Sequence, residues 1–290
     1  MHMTSRHAVL GRQRFYTSKL LLALGLPAIM ITSMIGGTAV AASNGPSLKP
    51  PTIISSGQIR YCSDISAPPL ESYSPSQTPE GSDVSIGNSI AKDLGLTPVW
   101  EQTAFSGIIP ALEANHCDAI LSQLYIKPAR KKVVNFVPYM YSSESVTVPE
   151  ANPGKITGLN STMCGQSVST TTGTTAQTEL EALSATCTSD GKPTVNVVLF
   201  TNDVDALQNM LVGQSNAYTT TSETAAYYIQ KDLNKFKFAG QPFGRILTGI
   251  AVIKGNPKLL SAIEHAFHEV QVSGEYNKIM TKWGIKRDEL

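Results

Sequence analysis

Residues 105–132, FSGIIPALEANHCDAILSQLYIKPARKK, contain the pattern that decides the fold. Ser106–Ala114 has the apolar spacing of a short helix, and the mostly apolar run Asp118–Leu124 predicts a buried strand. Pro128 then opens a helical turn, because proline is favoured at the first position of a helix. The stretch predicts a helix, a buried strand and a second helical segment in immediate succession.

The same alternation continues on both sides of this stretch. Gln58–Ser63 predicts a strand before it, and Asp83 is placed to cap the helix that follows. Further along, Val195–Leu199 predicts a strand and Pro257–Val272 a helix. Strands that alternate with helices indicate an α/β fold, with parallel sheets covered on both faces.

Composition and charge exclude several classes of protein. The 290 residues are 41% hydrophobic and 16% charged, which is enough apolar material for a core. The formal net charge of +1 hides an asymmetry, because residues 1–41 hold four basic residues and no acid. The remainder is mildly acidic, and this argues against nucleic acid as a partner.

Residues 1–41 predict a signal peptide. Basic residues up to Lys19 precede the apolar run Leu20–Ile35, and an A-x-A pattern ends at Ala41. We expect cleavage after Ala41 or the next residue, and export to the periplasm or the medium. The alternative is a retained membrane anchor, since the apolar segment is long enough to cross a bilayer. The proline-rich residues 42–56 predict a flexible tether after the cleavage site.

Short motifs spread over the chain carry a resemblance to a known family. In order they are Ser63-Asp64, Phe105-Ser106-Gly107, Ile126-x-Pro128-x-Arg130, Gly173-Thr174-Thr175 and the ending Gly274-x-Tyr276-x-x-Ile279-x-x-Lys282-Trp283-Gly284. This ordered set resembles the family-3 bacterial solute-binding proteins, the polar amino-acid receptors of ABC importers, which include glutamine-binding protein.

The resemblance implies a two-lobed periplasmic-binding-protein fold of type II, with a ligand cleft between lobes that are joined by two hinge strands. One lobe would comprise residues 57–143 and 248–290, and residues 144–247 would hold the hinges and the other lobe. Closure of the hinge around the ligand would be the working motion.

The resemblance also implies roles for individual residues. Arg130 matches the arginine that binds the ligand carboxylate, to which a guanidinium can donate two parallel hydrogen bonds. Thr174 and Thr175 match a helix N-terminus that holds an anionic group. Asp64 matches an acid near the ligand, and Phe105 matches an aromatic wall of the cleft.

Several positions depart from the family pattern, including Ala67 and the vicinity of Leu70, where aromatic residues are usual. Gln123 replaces a small residue, and Tyr125 stands where threonine or serine is usual. Thr221 occupies the position of the aspartate that binds the ligand ammonium group. Either Glu223 or Asp64 compensates for the missing acid, or the ligand is not a standard α-amino acid.

The four cysteines fall two in each implied lobe. Cys164 and Cys187 flank a β-α-β unit at the same sheet edge, within reach of a disulfide. Cys62 lies late in its strand and Cys117 just before its own, so a disulfide and two buried thiols both remain open. An even number of cysteines in an exported chain favours disulfides.

Three functions follow from the resemblance. The first is a monomeric binding protein that hands a small carboxylate-bearing polar solute, an amino acid or a similar molecule, to the membrane permease of an ABC importer. The second is a periplasmic enzyme on the same scaffold, resembling cyclohexadienyl dehydratase. The third is a soluble sensor that presents its ligand to a membrane receptor. No cofactor or metal is implied, and the sequence offers few candidates for the acid or base that an enzyme needs.

Overall fold

Strands and helices alternate along the chain, as the sequence predicts. The computed structural model describes residues 48–232 and 235–290. The strands are β1 Gln58–Ser63, β2 Ser72–Tyr73, β3 Pro79–Glu80, β4 Thr97–Gln102, β5 Ala119–Ile120, β6 Val134–Pro149, β7 Ser167–Thr171, β8 Asn196–Phe200, β9 Ala217–Thr221, β10 Phe236–Phe238 and β11 Phe243–Ile253. The helices are α1 Ser82–Asp93, α2 Ile108–Glu113, α3 Pro128–Lys131, α4 Thr175–Ser189, α5 Asp203–Leu211, α6 Ser222–Lys231, α7 Pro257–Val272 and α8 Glu275–Lys282.

Two parallel sheets are joined through a pair of long antiparallel strands. The strand order is β4-β1-β5-β11-β6-β9-β7-β8, with β10 beside β6. The pairs β1–β4, β1–β5, β7–β8 and β7–β9 are parallel, whereas β6 and β11 run antiparallel to each other and to their neighbours. The sheet is therefore mixed, because the connecting strands must run in opposite directions to join the lobes twice.

The long strand β6 passes from one lobe to the other. Its first part pairs with β11 up to Ser142 and, after a register shift, again at Glu144, and its second part pairs with β9 from Glu144 onward. Each side has its own core, built around Ile59, Ile86 and Ile263 in the first lobe and around other apolar residues in the second. This arrangement is the predicted two-lobed α/β fold.

The residues before β1 do not form the predicted flexible tether where the structure describes them. Leu48 and Ile53 are buried in the core of the first lobe. The Ile54 N–H donates to the Asp118 carboxylate at 2.7 Å, and the carbonyl of Thr52 accepts from Asn256 at 2.8 Å. Burial of the two apolar side chains fixes residues 48–56 to the lobe. The predicted signal peptide and residues 42–47 lie outside the described part of the chain.

The predicted strand Asp118–Leu124 is shorter in the structure. Only Ala119–Ile120 pairs with β1, because the backbone turns at Gln123, where φ is +42°. This turn places the side chains that follow Ile120 at the edge of the sheet rather than within it.

Among the described residues, no helix has the length and apolar character needed to span a membrane.

Both pairs of cysteines form disulfides. Cys164 and Cys187 are joined across the β-α-β unit of the second lobe, with their Cα atoms 5.7 Å apart. Cys62 and Cys117 are also joined, at a Cα distance of 5.6 Å. Cys117 reaches Cys62 because it lies in the loop before β5, where the Asp118 N–H donates to the carbonyl of Arg60.

Candidate functional site

A cavity of about 490 Å³, partly open to solvent, lies where the two lobes face each other. Every ligand-binding residue predicted from the sequence lines it: Asp64, Phe105, Gln123, Tyr125, Arg130, Thr174, Thr175 and Thr221. Its wall also includes residues that the motifs did not indicate, among them Ser66, Glu71, Ser122, Glu144, Thr171, Asp203 and Thr220. The chain thus gathers residues from both lobes and from the crossing strand β6 around one space.

Arg130 stands on α3 and reaches across the cleft. Its guanidinium donates to the carbonyl of Tyr125 at 3.1 Å in its own lobe and to the carbonyl of Gly173 at 3.4 Å in the other. It lies 5.5 Å from the centroid of the Phe105 ring. Burial lowers the pKa of Arg130 but leaves it a cation. Among the described residues the guanidinium contacts two carbonyls and a ring but forms no ion pair, so its charge is available to an anion.

The N-terminus of α4 opens on the same cavity. Thr174 is the N-cap, and its hydroxyl accepts from the Gln177 N–H while donating to the carbonyl of Thr171. The first N–H groups of a helix have no partner within the helix and carry a partial positive charge. Together with Arg130, this helix end makes one side of the cavity favourable to a carboxylate.

Acidic side chains from both lobes occupy another part of the wall. The Asp64 carboxylate accepts from Ser66 at 3.0 Å and from Gln102 at 3.3 Å. The Ser66 hydroxyl in turn accepts from the backbone N–H of Asp203 at 3.2 Å, across the cleft. Asp64 and Asp203 therefore flank one serine, and a cation between them would relieve their mutual repulsion.

Asp203 is the first residue of α5 and is held by three hydroxyl groups. Thr171, Tyr218 and Thr220 all donate to its carboxylate. Burial raises the pKa of Asp203 to about 6, while the hydroxyl hydrogen bonds oppose the shift. It is consequently ionised at neutral pH. No motif of the sequence indicated that this acid faces the cleft.

Thr221 lines the cavity, and its hydroxyl donates to Thr224 at 3.2 Å. Glu223, one of the two acids expected to compensate, is not among the described residues that line the cavity. Its carboxylate accepts from Gln123 at 3.1 Å, from Ser142 at 2.9 Å and from Ser222 at 3.1 Å. A further acid of the cavity wall, Asp203, lies beside this position, since Thr220 donates to it at 3.1 Å.

Gln123 and Tyr125 connect the cavity to the crossing strand. The Gln123 amide donates to Ser142 at 2.9 Å as well as to Glu223, and the Tyr125 hydroxyl lies 3.0 Å from the Ser142 hydroxyl. Both departures from the family pattern thus fill space between the cavity and the hinge.

Glu71 is a further buried acid of the first lobe. One oxygen accepts from Ser122 at 2.9 Å, and Ser122 also accepts from the Asp64 N–H. Burial and the charge of the neighbouring Asp83 raise the pKa of Glu71 well above its ordinary value. Within the described residues, no group of three metal-ligating side chains forms a metal site.

A cavity between two α/β lobes that are joined by two crossing strands defines a two-lobed binding protein. Residues 59–286 match the model of the bacterial extracellular solute-binding proteins, family 3. The chain belongs to this family, as the motifs predicted.

Individual proteins similar to the chain agree with this assignment. The L-cystine-binding protein TcyJ of Escherichia coli (strain K12) is 26% identical over 204 residues, covering 70% of this chain and 73% of the relative. The ABC transporter glutamine-binding protein GlnH of Bacillus subtilis (strain 168) is 29% identical over 214 residues, covering 72% and 74%. A crystal structure of the ancestral amino acid-binding protein AncCDT-1, a precursor of cyclohexadienyl dehydratase, has a TM-score of 0.70 and 27% identity, covering 78% and 95%.

Proposed function

We propose that this protein captures a small solute bearing both a carboxylate and an ammonium group, an amino acid or a close analogue, and delivers it to the permease of an ABC importer. One observation carries the proposal: a cavity between the lobes presents Arg130 and a helix N-terminus on one part of its wall and the acids Asp64 and Asp203 on another. A zwitterion matches that separation of charge.

Each group has a part in binding. Arg130 and the N-terminus of α4 hold the carboxylate, while Asp64 and Asp203 accept the ammonium group. Phe105 covers one side of the ligand, and its ring also orients the Arg130 guanidinium. Since these groups come from both lobes, the ligand completes its contacts only when the cleft is closed.

The same proposal places the protein outside the cytoplasm. Residues 1–41 have the pattern of a signal peptide, and the protein would act as a monomer in the periplasm or the medium. Export also accounts for two disulfides, which persist in oxidising compartments.

The test begins with the ligand itself. Protein purified without refolding is examined by native mass spectrometry, and the twenty L-amino acids are then screened by calorimetry. Arg130→Lys should bind the best of them about 30-fold or more weakly, because a buried carboxylate loses its bidentate partner. Lys131→Gln, an exposed change on the same helix, is the control and should bind as the wild type does.

Two results would contradict the proposal. Unchanged affinity in Arg130→Lys would show that Arg130 does not bind the ligand carboxylate. Conversion of a bound compound into a new product during incubation would favour the enzyme, which remains the second candidate among the functions considered from the sequence.

A further inference from the structure

A second chamber of about 200 Å³ adjoins the main cavity inside the second lobe. It lies among the ends of β7 and β9, the first turn of α4 and the crossing strand β6, and it shares several wall residues with the main cavity. Thr170 and Thr219 form its inner wall, while Glu144 and Asp203 face it from two sides. Among the described residues, those lining this chamber include two acids and no basic side chain.

Glu144 has a carboxylate oxygen that the rest of the described structure leaves unpaired. The side chain is only 3% exposed, yet Oε2 has no hydrogen-bond partner among residues 48–232 and 235–290. The hydroxyl of Thr219, fully buried in the same chamber, is also without a partner among these residues. Buried polar groups are nearly always satisfied, so two such atoms in one chamber point to a ligand group that bonds them.

We infer that Glu144 accepts a second cationic group of the solute, in addition to its ammonium group, and that the ligand is therefore a basic amino acid or a similar carboxylate with two cationic nitrogens. The inference rests on the proposed function, which already uses Arg130, Asp64 and Asp203. It assigns a role to Glu144, the acid of the cavity wall that lies on β6, the strand connecting the two lobes.

The charges around Glu144 agree with this assignment. It forms no ion pair with the described residues, although two cations of the first lobe act on its charge, Lys127 before α3 and Arg130 on α3. Glu179 on α4 and Glu223 on α6 face it as like charges, and Tyr125 faces it from the first lobe. Burial and neighbouring negative charges make an ionised Glu144 unfavourable by itself, and a cation bound beside it would stabilise the ionised form.

These surroundings also give the binding event a measurable signature. Burial, with the charges of Glu179 and Glu223, raises the pKa of Glu144 to about 8. The group is mostly protonated at pH 7 before the ligand binds, and a cation beside it makes it ionise. Capture should then release close to one proton per ligand at pH 7, whereas a neutral ligand should release none from this group.

The experiment compares ligands that differ in one charge. Calorimetry at pH 7 measures L-arginine, L-lysine and L-ornithine against the neutral L-citrulline and L-glutamine, in two buffers with different enthalpies of ionisation. The wild type should prefer the basic ligands by about 100-fold and release a proton with them alone. Glu144→Gln should reduce the preference to less than about 10-fold and abolish the proton release, while L-citrulline still binds.

Two further variants separate a specific contact from a general effect. Glu181→Gln removes an exposed acid of α4 that lies outside the cavity wall and is not among the charges that raise the pKa of Glu144, so it should keep both the preference and the proton release. Glu144→Asp, which retains the carboxylate, should restore part of the preference if Glu144→Gln misfolds in thermal melting.

The outcomes distinguish the inference from the proposed function. Equal affinity for basic and neutral amino acids, or equal losses for both classes in Glu144→Gln, would overturn the inference and leave the proposed function standing. Failure of every amino acid to bind would overturn the proposed function, and the inference with it.

Discussion

Gly173 is a point of contact between the two lobes, and adding one methyl group there tests whether closure controls binding. A Cβ atom at this position would lie 2.8 Å from the Cα and 3.1 Å from the Cβ of Ser106 in the opposite lobe. Ordinary carbon–carbon contacts are about 3.5–4.0 Å, so the lobes would have to separate by roughly 0.7 Å or more. Gly173→Ala should therefore oppose the closed state.

The cost divides between folding and binding. Because φ of Gly173 is +82°, an alanine costs about 1–2 kcal/mol of backbone strain in both the open and the closed states. The clash with Ser106 exists only when the cleft is closed, and overpacking of this kind costs about 1–3 kcal/mol. Affinity should fall by about 5- to 150-fold. The separation would also weaken the hydrogen bond from Arg130 to the Gly173 carbonyl, now 3.4 Å long.

A matched control isolates the clash. Gly213, at the end of α5, has φ of +75° and no atom within 4 Å of an added Cβ. Gly213→Ala should lower the melting temperature about as much as Gly173→Ala but leave ligand affinity unchanged. Calorimetry with the tightest amino acid of the screen measures both variants. Equal affinity of the two variants would show that the lobes do not need this contact, and the reasoning about closure would be wrong.

Three further predictions concern the acids and a disulfide. Asp203→Asn should weaken amino-acid binding by about 30-fold or more in calorimetry, and the double variant with Thr221→Asp should recover part of the lost affinity. Unchanged affinity in Asp203→Asn would exclude Asp203 as the ammonium acceptor. The pKa of Glu144 rises from 4.5 to about 8 on folding, so its stabilising contribution is complete below pH 4.5 and is lost as the pH rises towards 8. Glu144→Gln should accordingly lessen the fall in melting temperature between pH 5 and pH 8, and parallel profiles for the two proteins would refute the shift. Replacing Cys164 and Cys187 by serine opens a loop with a sequence separation of 23 and should lower the free energy of unfolding, measured by urea denaturation, by about 3 kcal/mol. A decrease below about 1 kcal/mol would contradict this prediction.

The fold was predictable because its signals are local and repeated. Helix α7 begins at Pro257 and ends at Val272, at the bounds that the sequence indicates, since proline opens it and apolar residues recur on one face. The two-lobed arrangement followed from motifs in a fixed order. Periodicity alone predicted parallel sheets, and it could not show that β6 and β11 run antiparallel, because strand direction depends on the path between lobes.

Local composition was misleading where residues far away in the sequence supply the apolar surface that buries a segment. The prolines before β1 suggested a flexible tether, but Leu48 and Ile53 find an apolar surface on the first lobe. That surface is assembled partly from α7, some 200 residues further along the chain, as the bond from Asn256 to the Thr52 carbonyl illustrates. Burial of an isolated apolar residue cannot be judged from its sequence neighbours when the covering element is so far away.

The site was predictable where a motif fixes a side chain to a helix end or a strand end. Arg130 and Thr174 were found in this way, because the residues around them determine both the local structure and the direction of the side chain. Glu144 was recognisable only as a residue near a hinge. Its place in the cavity depends on the register of β6 against β9, in which it lies opposite Thr221.

Asp203 shows how the same chemistry can arise from a different element. The sequence suggested that the ammonium site lacks its acid, because Thr221 stands at the end of β9 where the family has aspartate. Strands β7, β8 and β9 are mutually parallel, so their carboxyl ends meet at one edge of the sheet. An acid that follows β8 therefore reaches the same cavity as one that follows β9, and Thr220 donates to it directly at 3.1 Å. In the proposed function, Asp203 therefore supplies the charge that Thr221 lacks, although β7 lies between the strands that the two residues follow.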